Sequence, residues 1–337
     1  MIGQSPTGAR RRIPRIAAAL LGAAVLLLSA CGGQAPSPAA PKVETFPTRA
    51  IELTVPFNAG GSTDLIGRAF AKAMEKRLST TMPVVNKPGS NGAVGTKDVL
   101  GGAPDGYRIV VVAKSQMSIT PLVINDPNAI KQMSIISPLT IEDLVQVVPA
   151  DSPYKSIQDL LGADELKYGT TSVGSASHLA QALLFGAAHV PATVVGFDGG
   201  APTIGALLSH QVPTAALHIA EAAPQIEAGK LRPLVVYPEK RIPFMKDIPT
   251  VRELGYDVVV DQRRFLAAPA GLAPDVLATL REAAEKAKYD MEYTLFLQKN
   301  YISAWEGTVD DVVPHLQESS TKYADQIKAF GATFKTP

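Results

Sequence analysis

The pattern of apolar and polar positions predicts short strands and amphipathic helices that alternate along the first third of the chain. Residues 51–55 alternate as a strand does, and a glycine-rich loop then leads to apolar positions at helical spacing as far as residue 78. The same order recurs over residues 83–100, and residues 107–113 are apolar enough for a strand that is buried on both faces. This alternation favours an α/β fold with a largely parallel sheet.

A second set of elements begins at the apolar residues 144–149. Helices begin near Leu179 and Thr203, between predicted strands that lie near residues 166–169, 193–197, 214–218 and 234–237. Beyond about Ala268 the pattern is helical only, so the last helices must cover a sheet that is formed earlier in the chain.

The folded part is too long for one typical hydrophobic core, and this predicts two domains. We expect residues 48–149 and 262–337 to form domain 1 and residues 150–261 to form domain 2. The chain would then cross between the domains near residues 149–153 and return near residues 261–265.

The N-terminus has the features of an export signal. Four arginines within residues 10–15 precede an apolar run that ends near Leu28, which is shorter than the roughly 20 residues of a spanning helix. Leu28-Ser29-Ala30-Cys31 resembles a lipoprotein cleavage site, and Cys31 is the single cysteine of the chain. We therefore predict a signal peptide over residues 1–30, a lipid on Cys31, and a tether rich in Pro, Gly and Ala over residues 31–47.

Composition argues against nucleic acid as a partner. Without residues 1–30 the chain has 28 Lys and Arg against 31 Asp and Glu, whereas a nucleic-acid binder would be expected to carry a basic excess. A binding site for an anion must therefore depend on positive groups close to the ligand, because the chain as a whole carries no basic excess.

Four glycine-rich loops lead into predicted helices, at residues 58–64, 86–92, 169–178 and 197–202. Because a helix begins with unpaired backbone N–H groups and a partial positive charge, each loop could bind an anion, although such loops also make ordinary strand-to-helix turns. Two loops fall in each predicted domain, so an anion could be held from both sides.

Signatures of other chemistry are absent from the sequence. The glycine loops match neither the dinucleotide fingerprint nor the phosphate-binding P-loop, and no serine has the spacing of a nucleophile elbow. The five histidines include no H-x-x-x-H pair. We therefore expect no catalytic residues, no metal ligands and no cofactor.

Several motifs in their order along the chain resemble the tripartite tricarboxylate transporter substrate-binding proteins, the Bug/TctC-like extracytoplasmic solute receptors. They are VPFNAGGSTD at residues 55–64, VNKPGSNGAVG at 85–95, APDGY at 103–107, GFDGGA at 196–201 and IPTVRELG at 248–255. The resemblance implies a two-domain clamp of the type II periplasmic-binding-protein kind, with a ligand cleft between its lobes. It also implies binding of a mono-, di- or tricarboxylate for a membrane permease of two further subunits, and we expect a monomer held at the outer face of the cell membrane or in the periplasm.

The resemblance also implies which residues line the cleft. In the first lobe they are Phe57, Asn58, Gly60, Gly61, Ser62, Asn86 and Ser115, with Asp64 as a further candidate that could instead complement the helix dipole. From the second lobe they are Thr170, Ser172, Gly174, Ser175 and His178, with Asp198 beside them.

One motif departs from the family pattern. Arg263-Arg264-Phe265 stands where relatives have a tryptophan, an arginine or aromatic residue, and a glycine. Arg264 could match the family arginine, or both arginines could be solvated side chains at the return crossing.

Two other functions are alternatives to transport. The sequence also fits a ligand sensor that reports to a histidine kinase. A hydrolase is opposed because the spacing of a catalytic triad is missing.

Overall fold

The computed structural model describes residues 45–119 and 129–331. The predicted signal peptide, Cys31 and most of the predicted tether lie outside the described residues. Within the described part, no helix is both long enough and apolar enough to cross a membrane.

The described residues form ten strands and ten α-helices in one mixed sheet with helices against it. The strands are β1 Glu52–Val55, β2 Val84–Asn86, β3 Arg108–Ala113, β4 Met133–Pro149, β5 Leu166–Thr170, β6 Ala192–Gly196, β7 Thr214–His218, β8 Leu231–Val236, β9 Asp261–Pro269 and β10 Ser303–Ala304. The helices are α1 Ser62–Leu78, α2 Ala93–Leu100, α3 Lys114–Ser118, α4 Ile157–Leu161, α5 Ala176–Ala187, α6 Gly200–Leu208, α7 Ile219–Glu227, α8 Pro274–Lys288, α9 Met291–Lys299 and α10 Val309–Phe330.

The sheet is parallel at its two outer parts and antiparallel at its centre. Strands β2, β1 and β3 run parallel on one side, and β6, β5 and β7 run parallel on the other. Between them, β9 and β4 are antiparallel to their neighbours. The largely parallel sheet that the sequence predicts is therefore wrong for the centre.

Strand β4 belongs to both lobes. Its residues up to Asp143 pair with β9, whereas its residues from Leu144 onward pair with β7 and β8. Strand β10, which the helical pattern beyond Ala268 does not predict, adds a short antiparallel pair to β4. The exact domain boundaries stay a prediction.

Separate hydrophobic cores support the two outer parts of the sheet. On the β1 side, Phe70 of α1 packs with Leu280 of α8 and with Tyr293 of α9. On the β5 side, Leu179 and Phe185 of α5 pack against the second part of the sheet. The two cores hold the carboxyl ends of both sets of parallel strands in fixed positions.

Candidate functional site

The candidate site is a cleft at the carboxyl ends of the parallel strands, where each strand turns into a helix. The loops after β1, β2, β5 and β6 all contribute to the wall of one cavity of about 310 Å³. A cleft at this edge is the usual ligand position in open α/β sheets, and the volume suits a small molecule. The four glycine-rich loops of the sequence therefore face a single space.

Three of these loops lead into helices whose N-termini have no side-chain cap, including α2 with Gly92 as its N-cap. Gly61 is the N-cap of α1 and Gly199 is the N-cap of α6, and neither position has a capping side chain. Backbone N–H groups at such helix ends favour an acceptor or an anion.

Three hydrogen bonds connect opposite walls of the cleft, and one of them runs from Ser62 N–H to the Glu221 carboxylate. The Asn58 side-chain amide donates to the backbone oxygen of Asp198 over 2.9 Å. The Asn91 amide, which is buried, donates to the backbone oxygen of Gly174 over 3.0 Å. These contacts hold the loops of the two lobes together.

The structure brings half of the predicted site residues to the cavity wall. They are Phe57, Asn58, Gly61, Ser62, Ser172, Ser175 and Asp198. The others, Gly60, Asp64, Asn86, Ser115, Thr170, Gly174 and His178, are not part of the wall. None of these positions is tested for binding, so all of them stay predictions.

Three residues outside the cavity wall, Asp64, Asn86 and Arg68, fix the conformation of the β1–α1 loop. The Asp64 carboxylate accepts from Gly60 N–H over 2.9 Å, from the Asn86 amide over 2.8 Å and from Arg68 over 3.0 Å. Burial alone would raise the pKa of Asp64, but hydrogen bonds from Arg68, Gly60 and Asn86 lower it overall. An ionised Asp64 thus fixes the loop rather than facing the cavity.

Residues of the β5–α5 loop likewise form hydrogen bonds that fix the conformation of their own loop. Ser175 caps α5 by accepting from the backbone N–H of His178, and Thr170 lies 3.2 Å from the Ser175 hydroxyl. The His178 Nδ1 accepts from Gly174 N–H over 3.1 Å, and burial lowers the pKa of His178 to about 4. The His178 Nδ1 is therefore bonded to the backbone of its own loop.

Ser115 is one contact away from the cleft. It is fully buried, and its hydroxyl accepts from the side-chain amide of Gln262, which lines the cavity. Ser115 therefore supports a residue of the cavity wall and does not itself line the cavity.

Arg264 is not a solvated arginine. It is 3% exposed, forms an ion pair with the buried Glu142, and donates to the Thr63 hydroxyl over 2.8 Å. Burial lowers the pKa of Arg264 to about 9, which leaves the guanidinium charged at neutral pH. Its side chain lines the cavity, so the open question from the sequence is resolved in favour of a residue at the cleft.

Sequence reasoning missed a fifth strand-to-helix turn, from β7 into α7. This turn places His218 and Glu221 at the cavity wall. Glu221 accepts from Ser62 N–H over 3.2 Å, and burial raises the pKa of Glu221 to about 7, with the backbone amides of Ser62 and His218 acting in the opposite direction. The turn contains no glycine, so the signal that revealed the other four loops was missing.

The fold and the cleft together define a two-lobe solute-binding protein of the periplasmic-binding-protein kind, as predicted. Residues 66–332 match the family described as "Tripartite tricarboxylate transporter family receptor". The chain belongs to this family, so the resemblance seen in the sequence motifs is confirmed. The family consists of extracytoplasmic receptors that bind solutes for transporters and are not enzymes.

Individual relatives agree with this assignment. A protein of Cupriavidus necator, described as the UPF0065 protein in the gbd 5′ region, is 32% identical over 80% of this chain and 87% of its own. A TctC solute-binding protein from Polaromonas, solved without ligand, is 30% identical with a TM-score of 0.65, over 85% of this chain and 100% of its own. The periplasmic binding protein BugD is 26% identical with a TM-score of 0.78, over 85% and 99% of the two chains.

Two more distant structures of the same fold contain ligands. MatC from Rhodopseudomonas palustris, 24% identical with a TM-score of 0.76, was solved with bound malate and covers 84% of this chain and 100% of its own. A second R. palustris protein, 24% identical with a TM-score of 0.79, was solved with adipate and covers 85% and 98% of the two chains. Both ligands are dicarboxylates.

Proposed function

We propose that the protein captures a small di- or tricarboxylate outside the cytoplasmic membrane and delivers it to the membrane subunits of a tripartite tricarboxylate transporter. The observation that carries this proposal is the convergence of four glycine-rich loops, two from each lobe, on one cavity. Malate and adipate in two structures of this fold support the ligand class. Capture would follow hinge closure of the lobes around the ligand.

A thermal-shift panel tests the binding step. The folded part of the chain, without residues 1–30, is heated with mono-, di- and tricarboxylates in turn, and at least one of them is expected to raise the melting temperature. A ligand at about 100 times its dissociation constant stabilises by about 2.7 kcal/mol, which is easily measured. Flat melting curves over the whole panel contradict carboxylate capture.

We also propose that Cys31 carries a lipid that anchors the receptor to the membrane, and that the receptor acts as a monomer. The position of Cys31 directly after Leu28-Ser29-Ala30 supports the lipid. Sedimentation equilibrium can check the monomer. The transporter role and the anchor can be tested together in a strain that lacks this gene.

In that strain, the intact gene is expected to restore uptake of the bound carboxylate and to give a protein that incorporates a labelled fatty acid. A Cys31→Ser variant should lose the label and leave the membrane fraction. Uptake that does not depend on the intact gene argues against the transporter role, and a labelled Cys31→Ser protein argues against the anchor.

A further inference from the structure

The end of α8 and the start of α9 carry the most exposed large apolar side chains of the described residues. Tyr289 is 66% exposed, Met291 is 73% exposed and Leu295 is 57% exposed. Met291 and Leu295 are one helical turn apart, so they share one face of α9. We call these three residues the α9 patch. The other exposed large apolar residues of the described part are separated in sequence, and they are Leu65, Val94 and Leu208.

The opposite face of α9 fixes this helix to the first lobe. Tyr293 and Leu297 are buried in the core on the β1 side of the sheet, and the Tyr293 ring lies 5.1 Å from the Phe70 ring. At the start of α9, Glu292 pairs with Lys72 of α1 over 2.8 Å. The three apolar side chains of the α9 patch are therefore held at the surface and cannot turn inward.

The charged residues around the α9 patch have no acidic excess. Ion pairs among α1, α8, α9 and the turn between α8 and α9 contain five basic residues and four acidic ones. They are Lys72, Lys76, Arg77, Lys286 and Lys288 with Glu282, Glu285, Asp290 and Glu292. An anionic lipid surface would not repel this region, because each of these carboxylates already has a cation beside it.

The α9 patch is too small for a stable interface with a second copy of the chain. Specific protein interfaces bury about 800 Å² on each partner. Three partly exposed side chains offer only a few hundred Å². A contact of this size is useful, however, when a tether keeps the protein close to its partner and so raises the effective concentration.

The proposed lipid on Cys31 would provide such a tether. The chain from Cys31 to Thr45, the first described residue, can span at most about 50 Å. Phe46 then packs against the core on the β1 side together with Val276, which lies near the start of α8. Helix α8 has 15 residues, so its other end, where the α9 patch begins, is about 20 Å away. The tether is therefore long enough for the patch to reach the bilayer.

We propose that the α9 patch lies on the surface of the lipid bilayer and fixes the orientation of the anchored receptor on the membrane. The inference rests on the proposed lipid anchor and adds a second contact to it. A tyrosine suits the boundary between headgroups and acyl chains, and Met291 and Leu295 would leave water there. Helix α9 has nine residues, so it can lie at the surface and cannot cross the bilayer.

Fluorescence quenching on vesicles tests the inference. The chain from Cys31 onward is coupled through its single cysteine to a maleimide lipid, in phosphatidylcholine and phosphatidylglycerol vesicles whose brominated acyl chains quench tryptophan on contact. This coupling replaces the lipid that a cell would attach, so the result does not depend on modification in cells. Tyr289→Trp is the probe, and the native Trp305, which is 3% exposed, adds only a constant background. We expect the probe to lose much of its emission relative to vesicles without bromine.

Leu208→Trp is the matched control, because Leu208 is also exposed but ends α6 of the second lobe. Its emission should be the same with and without bromine. In the Tyr289→Trp protein, a Met291→Asp and Leu295→Asp double change should remove the quenching. Val94→Asp, at an exposed apolar residue of α2, should retain it. Circular dichroism checks that each variant is folded.

Equal quenching of the two probes would mean that no face of the protein is preferred, and no quenching of either would mean that the α9 patch does not touch lipid. Each of these results overturns the inference. A dimer in sedimentation equilibrium that the Met291→Asp and Leu295→Asp change abolishes also overturns it, since the patch would then be a protein interface. If cells attach no fatty acid to Cys31 while the coupled protein shows quenching, the anchor proposal fails and the α9 patch remains a lipid-binding surface.

Discussion

Replacing Arg264 with methionine is expected to destabilise the protein by about 3–5 kcal/mol, because the change leaves the Glu142 carboxylate buried without its cationic partner. Both side chains are almost fully buried, with exposed fractions of 3% for Arg264 and 2% for Glu142. The pair also connects β9 to β4 at the floor of the cleft. Chemical denaturation, followed by circular dichroism, measures the loss.

An exposed ion pair provides the control. Arg241 pairs with Glu253 at the surface, so Arg241→Met should cost no more than about 1 kcal/mol. A double variant, Glu142→Leu with Arg264→Met, should regain a large part of the lost stability, since no charge is then left buried alone. Equal stabilities of the Arg264→Met single variant and the double variant would show that the two charges are not coupled.

The burial of Arg264 illustrates what a sequence cannot show. Its neighbour Arg263 is less buried, pairs with Asp261 and lies over the Trp305 ring. Nothing in the local pattern distinguishes the two arginines. The difference arises because Arg264 faces Glu142, which lies far away in the chain and reaches it only through the pairing of β9 with β4.

The glycine-rich loops were predictable because their physics is local. A strand, a short run with glycine and an amphipathic helix follow one another within about twenty residues, and the α/β fold places all such turns at one edge of the sheet. The predicted ends of α1 at residue 78 and of α2 at residue 100 and the predicted span of β7 therefore agree with the structure. The cavity that joins these loops follows from the same rule.

The first part of β4 was missed because its pattern is irregular. Residues 133–143 contain Pro138, and the pairing with β9 shifts register twice, near Ile135 and near Pro138. Each shift moves side chains from one face to the other, so the alternation that identifies a strand is interrupted. This is the segment that carries Glu142 into the floor of the cleft.

Glu221 was missed for a different reason. Its helix begins directly after β7 at His218, without glycine. That β7 lies between β4 and β5 in the sheet is a property of topology, which places Glu221 opposite Ser62 although 159 positions separate them. The position of Glu221 in the cleft thus depends on contacts between distant parts of the chain, whereas the glycine-rich loops depend on local turns.

Removal of the Asn91 side chain is expected to weaken carboxylate binding about tenfold, because its amide donates to Gly174 across the cleft and is buried. Without this bond the closed arrangement of the loops loses part of its stability. Part of the ligand's binding free energy is then needed to close the loops, so the measured affinity falls. Asn91 also has a left-handed backbone conformation, with φ of 51°. Two substitutions therefore distinguish the effect of the side-chain amide from the effect of the backbone conformation.

Asn91→Gly removes the amide but accepts the left-handed conformation, whereas Asn91→Ala removes the amide and adds about 1–2 kcal/mol of backbone strain. Titration calorimetry with the tightest carboxylate of the panel should therefore give a similar loss of affinity for both variants. Thermal unfolding without ligand should show the larger loss of stability for Asn91→Ala. An Asn91→Gly protein that binds as tightly as the native protein would mean that the Asn91–Gly174 contact does not contribute to closure, and that the lobes are held by other bonds such as the one from Asn58 to Asp198.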